Sequence, residues 1–224
     1  MKKLLAFFLV SVLMLLAVAC GMSPNDGKIP GEGDPTIDNG TAGDQNTPGD
    51  MIPDQSGENN TSTSYQNANE LLEKIWTQHS DAERFPIMGG DYDNIVDNAP
   101  GAFDLSHPEA AANLDSLYAF PPAEIGKIDS AAGMIHGMNA NIFTCGAFRI
   151  KQGNDINACA EQIKNHVLSK QFLCGSPENL AILSLPGNYL ISVFGTTDAV
   201  TSFVQKTKGL IDDVTVVTEQ QIAR

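Results

Sequence analysis

The sequence from residue 65 to residue 224 predicts a single layered domain of the α/β or α+β class, with a mainly antiparallel sheet packed against about three helices. Three observations support this prediction. The segment is long enough to bury one hydrophobic core. Apolar stripes of helical spacing alternate with strand-like runs, and one pair of strands is joined by a tight turn. The predicted order is helix, strand, strand, helix, hairpin, helix, strand.

Residues 1–19 have the pattern of a bacterial lipoprotein signal peptide. Lys2 and Lys3 precede an apolar run, and small residues stand directly before Cys20. We expect cleavage before Cys20, attachment of diacylglycerol to its thiol, and anchoring at the outer face of the cytoplasmic membrane. The alternative is an uncleaved anchor, although the run is shorter than the roughly 20 apolar residues that a spanning helix needs.

Residues 20–64 are predicted to be a disordered tether, because they are rich in Gly, Asp, Asn, Pro, Ser and Thr. Their isolated apolar residues bury too little surface to offset a backbone entropy cost of about 1–2 kcal/mol per residue. The whole chain carries a net charge of −14. This acidity disfavours a nucleic-acid partner and binding to an anionic surface through a basic patch. The oligomeric state stays open.

The first predicted helix lies in the segment NANELLEKIWTQHS. Its apolar stripe recurs at spacings of three and four: Leu71, Leu72, Ile75, Trp76 and His79. Residues 85–108 are interrupted by three prolines and three glycines, which predicts irregular or short helical structure.

Two strands are predicted next, in AEIGKIDSAAGMIHG and NIFTCGAFRIK. Alternation in the second predicts two buried faces, Ile142, Phe148 and Ile150 on one and Phe143, Cys145 and Ala147 on the other. A helix from Asp155 to about Phe172 follows, with Asn154 as its candidate cap. Its stripe is formed by Ile156, Cys159, Ala160, Ile163 and Val167.

The runs LAILSL and YLISVF flank Pro186, Gly187 and Asn188, which predicts a hairpin. A last helix is capped by Thr197 in this prediction. Its apolar stripe is Val200, Phe203, Val204, Thr207 and Leu210. The final VTVVT run predicts a short edge strand.

Three cysteines remain besides Cys20, and an odd number cannot pair completely within one chain. A helix reaching Phe172 would place Cys159 and Cys174 about 20 Å apart, beyond the roughly 7 Å that a disulfide spans. We expect three reduced and mostly buried thiols, with a bridge between Cys145 and Cys174 as the alternative.

The strongest catalytic hypothesis makes Cys145 a nucleophile with His136 or His166 as its base, because a thiolate needs a neighbouring proton acceptor. No motif of a cysteine hydrolase surrounds Cys145, and a packed strand residue is the favoured interpretation of His136. The sequence also lacks a phosphate-binding loop, a GxSxG, an HExxH, a CxxC pair and a dinucleotide fingerprint. It therefore predicts no cofactor and no catalytic residue.

A second hypothesis concerns the acidic segment GGDYDNIVDN, where Asp91, Asp93, Asn94 and Asp97 offer oxygen ligands for calcium. The spacing fails the EF-hand pattern, because Ile95 occupies a ligand position and no glutamate stands at position twelve. We therefore favour a solvated acidic turn and predict no metal.

Four segments carry a family resemblance: the ELLEKIW helix, the AEIGKI region, the NIFTCGAFRIK strand leading into INACAEQIKNHVLSKQ, and the PGNYLISVFG arm. In their order the chain resembles a family of small Gram-positive, clostridial-type surface lipoproteins with a C-terminal domain of unknown function. The resemblance implies no catalytic residue. It implies a partner, since similar domains tend to be encoded beside membrane acyltransferases thought to modify surface polymers.

Two functions follow as hypotheses. The first is a non-enzymatic binding or accessory module at the cell surface, assisting a membrane enzyme that modifies wall polymers. Such a module needs an exposed apolar or aromatic patch, for which Tyr65, Tyr92 and Tyr118 are candidates. The alternative is a surface hydrolase or transferase acting on wall polymer through Cys145 or the acids between Asp91 and Asp97.

Overall fold

The computed structural model describes residues 65–173 and 175–222, which belong to one compact unit. The predicted signal peptide, the tether and Cys174 lie outside the described residues. The described chain forms an α+β domain, with helices on both faces of one antiparallel sheet of eight strands. This confirms the predicted fold class. Within the described residues, no helix has both the length and the apolar character that crossing a membrane requires.

The helices are α1 (Ala68–Trp76), α2 (Ala110–Tyr118), α3 (Ile156–Ser169) and α4 (Thr197–Leu210), with a 3-10 helix at Pro122–Lys127. The strands are β1 (Ile87–Gly90), β2 (Ile95–Asp97), β3 (Gly101–Ala102), β4 (Ile128–His136), β5 (Phe143–Ile150), β6 (Asn179–Leu185), β7 (Tyr189–Gly195) and β8 (Thr215–Gln221). The sheet order is β2-β1-β4-β5-β7-β6-β8, and β3 pairs with β4. All pairs are antiparallel.

The sheet separates two hydrophobic cores. Helices α1 and α4 cover one face, and α2 and α3 cover the other. Strand β5 shows why both faces are apolar: Phe143 and Cys145 point into the first core, whereas Phe148 and Ile150 point into the second. The predicted alternation of β5 is therefore confirmed, because side chains alternate between the faces of a strand.

Local sequence signals explain the elements that were predicted well. The Asn67 side chain caps α1 by accepting a hydrogen bond from the Glu70 amide at 2.9 Å. The turn between β6 and β7 has Gly187 at φ 80° and Asn188 at φ 62°, the left-handed conformation that these two residue types tolerate best. Strand β8 lies at an edge of the sheet, as predicted.

Several predicted boundaries are wrong by a few residues. The AEIGKI segment is largely the 3-10 helix, so β4 begins only at Ile128. Helix α3 is capped by Asp155 instead of Asn154 and ends at Ser169. Thr197 is the first residue of α4 and not its cap.

The largest correction concerns residues 85–118. The segment predicted to be irregular contains the three short strands β1, β2 and β3, and the helix α2 that follows it was not predicted. All three strands are short, and β1 and β3 contain glycine. Long-range pairing with β4 holds β1 and β3 in place. No local pattern of alternation marks such strands.

A glycine of the sheet makes room for one buried aromatic ring. Gly133 of β4 lies opposite Gly146 of β5. A Cβ atom at Gly133 would lie 2.2 Å from the ring of Tyr118, a fully buried residue of α2. The Tyr118 hydroxyl donates a hydrogen bond of 2.5 Å to the carbonyl oxygen of Gly90. The ring therefore ties α2 to the end of β1.

Candidate functional site

Cys145, the nucleophile of the catalytic hypothesis, lies in the middle of the sheet. Cys145 is fully buried in the core beneath α1 and α4, and burial raises the pKa of its thiol well above the usual value. This environment disfavours the thiolate that a nucleophile needs. Cys159 is also a free thiol, but it lies in the core on the opposite face of the sheet. The two described cysteines therefore cannot pair with each other.

The two candidate bases have other partners. In His136, Nδ1 accepts hydrogen bonds from the amides of Met138 and Asn139 at 3.1 and 3.3 Å. Its ring stacks on Phe85, with the centroids 5.2 Å apart. These contacts fix a packed ring at the end of β4, as the favoured interpretation of His136 predicted.

His166 lies on the other side of the sheet from Cys145. Its Nε2 contacts the Asp115 carboxylate at 2.8 Å, and the Lys170 ammonium reaches the same carboxylate oxygen at 2.6 Å. Burial alone would raise the pKa of Asp115, yet these two partners hold it below the usual value. The three side chains join α2 to α3, which is a structural role.

The acidic segment forms a turn centred on one buried carboxylate. Asp91 Oδ1 accepts hydrogen bonds from the amides of Asp93 and Asn94, and Oδ2 accepts one from the amide of Asp104 at 3.0 Å. Burial alone would raise the pKa of Asp91, but these donors hold it below the usual value. The predicted solvated turn therefore describes Asp93, is wrong for the buried Asp91, and is wrong in structure for Asp97, which is exposed but belongs to β2.

The carboxylates of this segment do not converge. Across residues 65–173 and 175–222, no group of three or more His, Cys, Asp or Glu side chains has the arrangement of a metal site. Asp93 instead lies 3.6 Å from the His107 imidazole. The oxygens of Asp91 are already used by the turn itself.

The three candidate tyrosines differ in exposure. Tyr65 and Tyr118 are buried, so neither belongs to a surface patch. Tyr92 is 52% exposed, and its hydroxyl hydrogen-bonds to Ser116 of α2 at 2.9 Å. Only Tyr92 of the predicted set is therefore available to a partner.

One apolar neighbour extends the surface around Tyr92. Ile95 of β2 is 60% exposed and lines the same groove as Tyr92, and these two residues form what we call the hairpin strip. Val96 is 38% exposed, but it pairs with Gly89 and points to the opposite face of the sheet. The sequence analysis missed Ile95 and Val96, although an isolated apolar pair between acidic residues was a visible signal.

A groove runs beside the hairpin strip. It encloses about 140 Å³ between the β1–β2 hairpin and α2. Its lining is almost entirely apolar and includes Met88, Leu117 and Ile135 as well as Tyr92 and Ile95. The strip and the groove together form a continuous apolar surface next to strand β2, which lies at the edge of the sheet.

Comparison with known proteins finds no relative of this chain. The chain matches no protein-family model, no curated protein and no solved structure. The resemblance to clostridial-type surface lipoproteins therefore stays a prediction from the sequence.

Proposed function

We propose that this chain is a lipid-anchored, extracytoplasmic binding module without enzymatic activity, and that the hairpin strip is its contact surface. The observation that carries the proposal is the exposed pair of Tyr92 and Ile95, which lines an apolar groove. Single exposed apolar residues are normal in soluble proteins, but contiguous apolar patches mark interaction sites.

The position of the strip suits contact with another protein. Strand β2 lies at the edge of the sheet and is only three residues long, so it presents few backbone groups for hydrogen bonding to a partner strand. A partner would therefore bind mainly through the exposed apolar side chains. The Tyr92 ring is held against α2 by its hydrogen bond to Ser116, so little side-chain entropy would be lost on binding. Tyrosine is also enriched in protein interfaces.

The sequence supplies the setting for this surface. Lipid on Cys20 would hold the chain at the outer face of the cytoplasmic membrane, and the tether of residues 20–64 would let the domain reach neighbouring proteins. In this proposal the partner is a membrane enzyme that modifies wall polymers, as the family resemblance implies. The environments of Cys145, His136 and His166 favour this role over the hydrolase or transferase alternative.

Site-specific photocrosslinking tests the proposed contact surface. The full-length chain would carry p-benzoylphenylalanine at Ile95 in its own cells, and a matched control would carry it at Gln205, an exposed position on α4. We expect one crosslinked membrane protein from Ile95 and none from Gln205. Equal products at both positions, or no product at Ile95, would refute the hairpin strip as the contact surface.

A further inference from the structure

A second concave site lies away from the hairpin strip. It encloses about 310 Å³ between the end of α1, the loop that follows it, the start of β5 and the first turn of α4. This volume lies at the lower end of the range of about 300–1,000 Å³ that small-molecule pockets occupy. Neither the predicted site residues nor the hairpin strip line it.

Four rings form one wall of this site, which we call the aromatic pocket: Trp76, His79, Phe85 and Phe143. The centroid of the Trp76 ring lies 4.8 Å from that of His79 and 5.4 Å from that of Phe85. Phe85 and Phe143 are 5.2 Å apart. The rings therefore pack against one another, with Phe143 fully buried, Trp76 6% exposed and Phe85 half-buried. The exposed parts of Phe85 and Trp76 are the aromatic surface that a cation can reach, and aromatic rings attract cations.

His79 in this wall carries no positive charge that would repel a bound cation. His79 is 4% exposed and its Nδ1 has no hydrogen bond of good geometry. Burial lowers its pKa, although the carbonyl groups of Trp76 and Ile75 partly counter that effect. The ring is therefore neutral at pH 7 and lines the pocket as an aromatic surface.

The rim of the aromatic pocket carries two carboxylates. Glu83 is neutralised by Lys206, whose ammonium lies 3.0 Å from it. Asp198 lies in the first turn of α4 and is exposed. Glu178 accepts hydrogen bonds from the Thr197 amide and hydroxyl at the start of that helix, at 2.9 and 3.0 Å. Within the described residues the Asp198 carboxylate forms no ion pair, so its charge is open to a ligand.

We propose that the aromatic pocket binds an organic ammonium group, with the cation against the rings of Trp76 and Phe85 and with Asp198 as its counter-ion. An aromatic wall with a carboxylate at its rim is the arrangement that recognises methylated ammonium ions. Among the described residues that line the pocket there is no lysine or arginine, and the nearby Lys206 ammonium is paired with Glu83.

Trp76 provides a direct readout, since it is the only tryptophan in the sequence. The full mature chain in detergent would be titrated with choline chloride while the Trp76 fluorescence is recorded, with sodium chloride at equal ionic strength as the reference. The neutral isostere 3,3-dimethyl-1-butanol would be titrated in parallel. We expect a saturable change with choline and an affinity about 3- to 30-fold weaker for the alcohol.

Two matched variants test whether the negative charge of Asp198, and not only the shape of the pocket, contributes to choline binding. Asp198→Asn is expected to weaken choline binding about fivefold or more, whereas Asp212→Asn, an exposed acid outside the pocket, should leave the affinity unchanged. Both acids lie on the surface, so both variants should keep the wild-type thermal midpoint. Equal binding of choline and the alcohol, tighter binding of glucose, or no saturable change would overturn the proposal. None of these results bears on the contact surface of the hairpin strip.

Discussion

Replacing Gly133 with alanine tests how tightly the second core is built. The new Cβ would lie 2.2 and 2.3 Å from two ring atoms of Tyr118, far inside the 3.5–4.0 Å of an ordinary carbon contact. The ring therefore has to move by more than about 1 Å. Overpacking of this kind costs about 1–3 kcal/mol.

The displacement has a second cost. Moving the ring breaks the hydrogen bond from the Tyr118 hydroxyl to the Gly90 carbonyl oxygen, and both groups are buried. An unsatisfied buried polar group costs about 1–3 kcal/mol. We therefore expect Gly133→Ala to lower the free energy of unfolding by about 2–6 kcal/mol, a large share of the roughly 5–15 kcal/mol of a typical domain.

Urea denaturation followed by circular dichroism and Trp76 fluorescence measures this loss. Gly209→Ala is the matched control, because a Cβ there meets nothing within 4 Å and the residue lies in helix α4. Alanine should stabilise that position by up to about 1 kcal/mol. A Gly133→Ala variant within about 0.5 kcal/mol of the wild type would refute the packing described for Tyr118.

Three further predictions follow from single side chains. Cys145 should resist alkylation at pH 8 in the folded chain and react only after denaturation, as peptide mass spectrometry will show; modification of the native protein at Cys145 would contradict its burial. Asp91→Ala should lower the free energy of unfolding by about 2–3 kcal/mol, because it removes a carboxylate that accepts several amide hydrogen bonds. Neither calcium nor a chelator should shift the melting temperature of the wild type. Hydrogen bonds from Ser80 and Lys206 lower the pKa of Glu83 to about 2, so its stabilising contribution is present above the unfolded value near 4.5 and is lost as the pH falls through 2. Carbon NMR should place the Glu83 midpoint there, and Lys206→Met should raise it; a wild-type midpoint above 4 would contradict the ion pair.

The β6–β7 hairpin and helices α1, α3 and α4 were predictable because their signals are local. The hairpin turn needs a left-handed residue at Gly187, and the apolar stripes of these helices repeat every three or four residues. Helix α2 was missed although Ala110, Leu114 and Tyr118 have helical spacing, because the helix is short and no side chain caps its start. The cap of α3 was wrong by one residue because Asn154 and Asp155 are both good caps.

The sites were harder to predict than the fold. The aromatic pocket joins Trp76 at the end of α1, Phe143 at the start of β5 and Asp198 on α4, and only tertiary packing brings these distant residues together. Ile95 and Val96 are exposed because β2 is the outermost strand at one edge of the sheet. No periodicity in the sequence specifies that position. Sequence reasoning did select Tyr92, because it lies in a segment with little periodicity.

A crosslinked pulldown from the native membranes, analysed by mass spectrometry, tests the central proposal most directly. The wild-type chain would be compared with Cys20→Ala, which removes the proposed acceptor of the lipid, and with Ile95→Asp, which places a charge in the hairpin strip. Gln205→Asp is the matched control, since it adds the same charge at an exposed position on α4. We predict one membrane enzyme that is recovered with the wild type and Gln205→Asp and lost with the other two variants. Its recovery with Ile95→Asp, or recovery of no specific protein from the wild type, would contradict the proposal that the hairpin strip binds a membrane partner.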